Sequence, residues 1–294
     1  MAPLRCLYDL QHAPITFDFA TFLAIADCVR QNAKMKHIDL TIRKAAFRQK
    51  TPRDFETPDS EKIWRIHGIL LQVCAVVPSI RNLTVTEDTD GTFDFPSAKT
   101  ALVPYCASFA VNAWEAGTDP RVLRAPEHAK SEVKKRWTDE RYVTLTLRTS
   151  IHAPERNPDM GEWQRFHDWL RNQGYVVIVI PDQEDINRAG EALAGRWDLD
   201  IPAAYDFRLR LALYEGALMN VGSVNGPFGQ CFMSHVPLLQ FDHFRGNALS
   251  ADQWVDLNGF PPPGQYPWSA KNQRMTWLDS TFENLKAEFE RVVG

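Results

Sequence analysis

The run Gly222-Ser223-Val224-Asn225-Gly226-Pro227 stands directly after the short apolar segment Met219–Val221 and before another apolar stretch. A turn of this composition at the carboxyl end of a strand opens a helix whose unpaired N–H groups and dipole favour an anion. Ser223, Asn225, Gly226 and Pro227 are therefore candidate phosphate ligands. The run matches neither GxGxxG nor GxxxxGK[ST], which excludes a dinucleotide fingerprint and a P-loop. Arg148, immediately after the β-branched segment Tyr142–Leu147, carries the planar fork that suits phosphate, and Arg156 follows in the same loop. Both could instead pair with Glu155, Asp159 or Glu162. Asp182, Glu184 and Asp185 follow the apolar run Tyr175–Ile180, where an acidic side chain can hold a ribose or base edge or simply cap the next helix.

Near the amino terminus, Asp9, His12 and Asp18 are the natural candidates for a general base. Asp18 could equally serve only to stabilise the start of a helix. In the late loop, Gln265, Tyr266, Trp268, Gln273 and Trp277 combine aromatic faces with amides, a mixture that suits a carbohydrate, although ordinary packing accounts for them as well. No cluster has zinc-ligand spacing and no GxSxG elbow occurs, so the chain is read as metal-independent.

These residues need parallel strands to bring them together. Leu4–Tyr8, His37–Ile42 and Asn82–Thr86 read as strands in the first half, with helices at Phe19–Val29, Ile63–Val77 and Tyr105–Ala113. In the second half, Tyr142–Leu147, Tyr175–Ile180, Met219–Val221 and Val236–Phe241 read as strands. Trp163, Phe166 and Leu170 mark one helix face, and Asp159 with Glu162 forms its capping pair. Ser280 and Glu283 cap a last helix whose stripe Phe282, Leu285, Phe289 and Val292 needs a surface to pack on. The alternation predicts an α/β protein of two lobes, residues 1–130 and 131–294, joined through the polar stretch Gly117–Arg136, read as a solvated linker helix.

With 294 residues the chain is long enough for two cores. A net charge of −4 with scattered cations argues against a nucleic-acid partner. The longest apolar runs are too short for a transmembrane segment, and Met1–Leu10 lacks the apolar core of a secretory signal. Five cysteines, an odd number without CxxC, read as reduced core thiols of a cytoplasmic protein.

Over about Arg141–Phe289, the segments YVTLTLRTSIHAPERN, GYVVIVIPDQED, RLALYEGALMNVGSVNGPFGQCFMSHVPLLQF and QRMTWLDSTFENLKAEF resemble the donor domain of GT-B glycosyltransferases. The strand ending at Arg148 loosely resembles the first motif of GDP-fucose-dependent fucosyltransferases, and heptosyltransferase donor domains are comparably similar. The resemblance implies two Rossmann-like lobes with a cleft between them and a C-terminal helix returning toward the first lobe. It implies diphosphate contacts at Arg148, Ser223, Asn225 and Gly226, and a nucleotide-diphosphate sugar as substrate with no further cofactor. The expected partners are that nucleotide sugar and a glycan or lipid-linked acceptor, with peripheral membrane association one option. The sugar, the base and the oligomeric state stay open. A nucleotide-sugar epimerase of the same fold and a non-catalytic nucleotide- or glycan-binding protein are the alternatives.

Overall fold

In the computed structural model, which describes residues 2–88, 90–96, 106–137, 141–150, 153–183, 186, 197–245 and 250–294, strands and helices alternate in both halves of the chain. Two compact units result: Met1–Arg124 with Val255–Gly259, and Ala125–Trp254 with Phe260–Gly294.

The first unit holds a parallel sheet of β1 (Leu4–Asp9), β2 (Ile38–Arg43), β3 (Ile80–Thr86) and β4 (Phe95–Pro96) in the order β3-β2-β1-β4. β1 is buried on both faces from Cys6 to Asp9, as an inner parallel strand must be. Helix α1 (Asp18–Asn32) crosses from β1 to β2, and every residue from Phe19 to Cys28 is buried. Its Phe19 and Phe22 rings lie 4.5 and 5.0 Å from the Tyr8 ring, which fixes the helix against the strand. The helix expected over Ile63–Val77 runs from Asp59 to Cys74, with a π-helical turn at Ile66–Leu70. Helix α2 (Ala107–Glu115) packs on α1, and its Ser108 donates to the Asp256 carbonyl at 2.9 Å.

The second unit holds β5 (Tyr142–Thr146), β6 (Val176–Ile180), β7 (Met219–Ser223), β8 (Leu238–Phe241) and β9 (Gln273–Met275), all parallel, in the order β6-β5-β7-β8-β9. Every residue of β5, β7 and β8 is buried. The polar stretch expected to be a solvated connection is not one throughout. Helix α3 (Glu127–Arg136) buries Ala129 and Val133 in this unit. Arg136 meets the buried Asp200 carboxylate at 2.7 and 2.8 Å, and Trp137 donates to the same group at 2.6 Å.

Helix α4 (Met160–Asn172) begins as expected at Asp159, whose carboxylate accepts the Gly161 N–H at 2.8 Å. Its Trp163, Phe166 and Leu170 enter the core with β5, β6 and β7. Helix α5 (Phe207–Gly216) precedes β7, and helix α6 (Phe282–Val293) ends the chain. The apolar stripe of α6 finds its surface inside the second unit: Leu285 and Phe289 join Phe166 and Leu170 in one cluster. The cap of α6 is Thr281 rather than Ser280, its hydroxyl accepting the Asn284 N–H at 3.3 Å. Glu162 serves α6 as well as its own helix, accepting the Phe282 N–H at 2.6 Å and Arg165 Nη1 at 3.2 Å.

All five cysteines are buried, and burial pushes the thiols of Cys6, Cys74 and Cys231 far up and that of Cys28 to about 11. No helix among the described residues is long and apolar enough to cross a membrane.

Candidate functional site

The order of connections picks out one place in the second sheet. From β5 the chain moves to β6 on one side, then returns to β7 on the other, so β5 and β7 flank the topological switch point. Ligands of doubly wound sheets bind at the carboxyl edge there, because the connections diverge and leave a crevice. Thr146 pairs with Gly222 at that edge, which puts Arg148 and the 223–227 turn at the ends of adjacent strands.

Beneath this edge the sheet is braced by buried polar contacts. Tyr214 and Thr146 share a hydrogen bond of 2.6 Å, and Thr144 donates to Asn220 at 2.6 Å. The Asn220 amide donates in turn to the carbonyls of Tyr214 and Pro237 at 3.0 and 2.7 Å. Satisfied networks of this kind rigidify a core, so the strand ends above them are held in place.

Ser223 closes β7 fully buried, and its hydroxyl has no hydrogen-bond partner among the described residues. A buried polar atom of this kind carries a desolvation penalty that a ligand oxygen would remove. Asn225 is the cap of the short helix Gly226–Gly229: its Oδ1 accepts the Phe228 N–H at 3.0 Å and its Nδ2 donates to the Ser223 carbonyl at 3.1 Å. Gly226 is exposed at the head of that helix and Pro227 follows it. Gly222 is the glycine that the geometry demands. A Cβ there would stand 2.9 Å from the Phe228 ring and 3.0 Å from the Thr146 carbonyl oxygen.

Arg148 is buried, and its Nη1 donates to the Ala153 carbonyl at 2.9 Å and to Asn157 Oδ1. Asn157 donates on to the Ser150 carbonyl at 2.9 Å. Ala153 adopts the left-handed conformation with φ 55°, uncommon for a residue with a Cβ. The guanidinium therefore ties residues 153 and 157 back to the end of β5. Arg156 ends a 3₁₀ turn, half-buried. Two of the carboxylates proposed to pair with it are engaged elsewhere, Asp159 in its cap and Glu162 with Phe282 and Arg165. Asp182 follows β6 half-buried, and its carbonyl accepts the Ile186 N–H at 3.3 Å. Glu184 and Asp185 lie outside the described residues.

In the first unit the switch point falls between β1 and β4. Asp9 ends β1 buried, meets Arg43 Nη1 at 3.2 Å and accepts the Gln11 N–H at 3.1 Å. His12 is half-buried just beyond it, and its N–H bonds the Asp9 carbonyl at 3.0 Å. Asp18 is exposed at the start of α1 and accepts from Thr16 at 2.8 Å. Beside this segment lies a cavity of about 60 Å³ lined by Ala13, Thr16, Phe47, Arg48, Lys62 and Arg65 among others. Burial alone would raise the Asp54 carboxyl on its wall, but Arg48 and the N–H groups of Lys50 and Thr51 hold it down to about 2.

A group with unusual surroundings that its sequence context did not signal lies after β8. Asp242 takes a left-handed φ of 63°, is buried, and accepts from Ser280 N and Oγ at 2.9 and 2.8 Å. Burial raises its carboxyl, with Ser280 opposing the shift. His243 beside it is buried against Trp254 and Trp277, and desolvation lowers its imidazole to about 4. The polar and aromatic residues of the late loop are engaged in packing, one of the two roles their composition allowed. Gln265 exchanges two bonds of 2.8 Å with Met275, Gln273 ties the Ser234 and Val236 carbonyls at 2.9 Å, and Trp268 donates to Phe232 at 2.8 Å. Among the described residues no group of three or more His, Cys, Asp and Glu converges as a metal site would.

No protein-family model matches the chain, and no curated protein matches it. Solved structures do. A glycosyl transferase family 9 protein from Veillonella parvula is similar at 11% identity over 99% of this chain and 97% of its own, with a TM-score of 0.59. The ADP-heptose LPS heptosyltransferase II of E. coli is similar at 10% identity over 100% of this chain and 98% of its own, with a TM-score of 0.56. The chain thus has the α/β, GT-B-like fold of these glycosyltransferases, as the resemblance of its second half implied.

Proposed function

We propose that the protein transfers a sugar from a nucleoside-diphosphate donor to a hydroxyl acceptor without a metal ion. The observation that carries this reading is the Ser223 hydroxyl, buried and without a partner among the described residues, at the β5/β7 switch point, next to the strand that leads into the Arg148 loop. In this reading Ser223 donates to a diphosphate oxygen and Arg148 stabilises the charge that grows on the leaving diphosphate. The backbone at Asn225, Gly226 and Pro227 lets that group approach closely. Arg156 flanks the diphosphate, and Asp182, with Glu184, accepts from the ribose or base. The first unit handles the acceptor, with Asp9, His12 or Asp18 taking the proton from its hydroxyl. Exposed Phe55, between the cavity-lining Asp54 and Thr57, and exposed Ile63 and Trp64, between Lys62 and Arg65, support a lipid-linked acceptor and a peripheral place at a membrane.

Calorimetric titration with GDP, UDP and ADP, and then with their sugar conjugates, tests the donor. Binding of one nucleotide, weakened about tenfold or more in Ser223→Ala, is expected, since a hydrogen bond to a charged group is worth ~1.5 kcal/mol or more. Binding of none would end the reading. Product analysis with the nucleotide sugar that binds separates transfer from epimerisation and from binding alone.

A further inference from the structure

Among the strands whose burial is described throughout, β3 is the most exposed. Every residue from Arg81 to Val85 is exposed, including the side chains of Leu83 and Val85 at 40% and 38%. Among the described residues it pairs with β2 alone, so its outer edge carries unpaired peptide groups. Which groups they are follows from the ladder. Lys44 N–H bonds the Thr86 carbonyl at 2.8 Å. By alternation the peptide groups of Thr84 and Thr86 serve β2, while the N–H and C=O of Leu83 and Val85 point outward. Long edges of this kind are normally blunted by Pro, by an inward charge or by a cover, because they template pairing with another chain. The β3 sequence IRNLTVT has no Pro, and its one irregularity, the extra residue at Arg81, lies at its start.

We infer that β3 pairs antiparallel with β3 of a second copy of this chain, joining two four-stranded sheets into one. The outward groups allow a two-fold register centred on Thr84, in which Leu83 and Val85 of one copy exchange four backbone hydrogen bonds with Val85 and Leu83 of the other. In that register the side chains complement one another at every position. Thr84 faces Thr84, aliphatic Leu83 faces Val85, Asn82 faces Thr86, and Arg81 faces Glu87 in two symmetric ion pairs. Cross-strand pairs of these types are the favourable ones, and no like charges meet. Glu87 is exposed and has Lys44 at 2.9 Å within its own chain, which leaves its second oxygen for the incoming Arg81. The charge match selects a second copy over an unrelated strand.

Sedimentation equilibrium of the full chain tests this. A dimer with a micromolar dissociation constant is expected for the wild type. Val85→Pro removes only an outward N–H, a change an edge strand tolerates, and should yield a monomer with nearly unchanged melting temperature. Arg81→Glu and Glu87→Arg should each weaken the dimer at least tenfold. An equimolar mixture of these two variants should regain it as a heterodimer, because both cross-strand contacts then join opposite charges. A wild-type protein that stays monomeric at roughly 100 μM overturns the inference. So does a dimer indifferent to Val85→Pro, which would place the interface elsewhere, or one that the charge exchange fails to restore, which would exclude this register.

Discussion

Gly222 and Thr146 are register partners at the ends of β7 and β5, and a Cβ on Gly222 would stand 3.0 Å from the Thr146 carbonyl oxygen. The same Cβ would meet the Phe228 ring at 2.9 Å, so the turn that follows β7 can fold down onto the strand end only because position 222 has no side chain. Gly222→Ala is therefore expected to destabilise the protein by about 1–3 kcal/mol through overpacking, read as a lower urea midpoint. An unchanged midpoint would mean that the turn can lift away at no cost.

Arg148 has two roles to separate. Its Nη1 gathers the loop through Ala153 and Asn157, and the proposed function gives it the diphosphate as well. Asn157→Ala removes only the loop contact. Arg148→Ala should weaken nucleoside-diphosphate binding by at least ~1.5 kcal/mol, about tenfold, and by clearly more than Asn157→Ala does. Equal losses in calorimetric titrations would reduce Arg148 to a positioning residue.

Burial of His243 makes stability depend on pH in a defined direction. The imidazole, lowered to about 4 in the folded state from its ordinary 6.5, binds its proton more readily when unfolded. Stability should therefore be full above about pH 6.5 and fall as pH drops toward 4, by an amount on the order of 3 kcal/mol. Urea unfolding across that range, compared with His243→Gln, isolates the effect. A parallel pH profile in the variant would assign the loss to the carboxylates instead.

Asp200 anchors α3 in the second unit. Its carboxylate is buried and accepts from Arg136, Trp137 and the Ala203 N–H at 2.9 Å. Asp200→Ala leaves Arg136 without its counter-charge and should cost about 3 kcal/mol, measured by chemical denaturation. Arg136→Met with Asp200→Leu should recover much of that loss, since an apolar pair of similar volume removes both buried charges.

The sheets were legible in the sequence where burial dictates composition. VVIVI in β6 and the all-buried β5, β7 and β8 admit few other readings, because a parallel strand covered on both faces must be apolar throughout. β4 and β9 were not legible, being two and three residues long and without a period to count. Phe289 announced a helix but not its direction, since an apolar stripe specifies that something covers it and not what. The same limit applies to side chains at the site. Asn225 and Asp159 could be seen as polar residues at helix starts, and their role as caps follows from spacing. The contacts of Arg148 with a carbonyl five residues on, and the buried environment of Asp242, come from backbone conformations at Ala153 and Asp242 that residues other than glycine seldom adopt and that no sequence pattern marks.

Residues Val255–Gly259 complete the first unit, although more than a hundred residues of the second unit precede them. They sit on α2, where Ser108 holds the Asp256 carbonyl and Gly259, with φ 83°, lies so close that a Cβ would be 3.0 Å from Val111. During synthesis this patch of α2 waits for its cover until residue 259 has been made, after the 130 residues that separate Arg124 from Val255. Maturation of the first unit is consequently tied to the ribosome's progress through the second, and a fragment that stops at Arg124 lacks the segment that seats on α2.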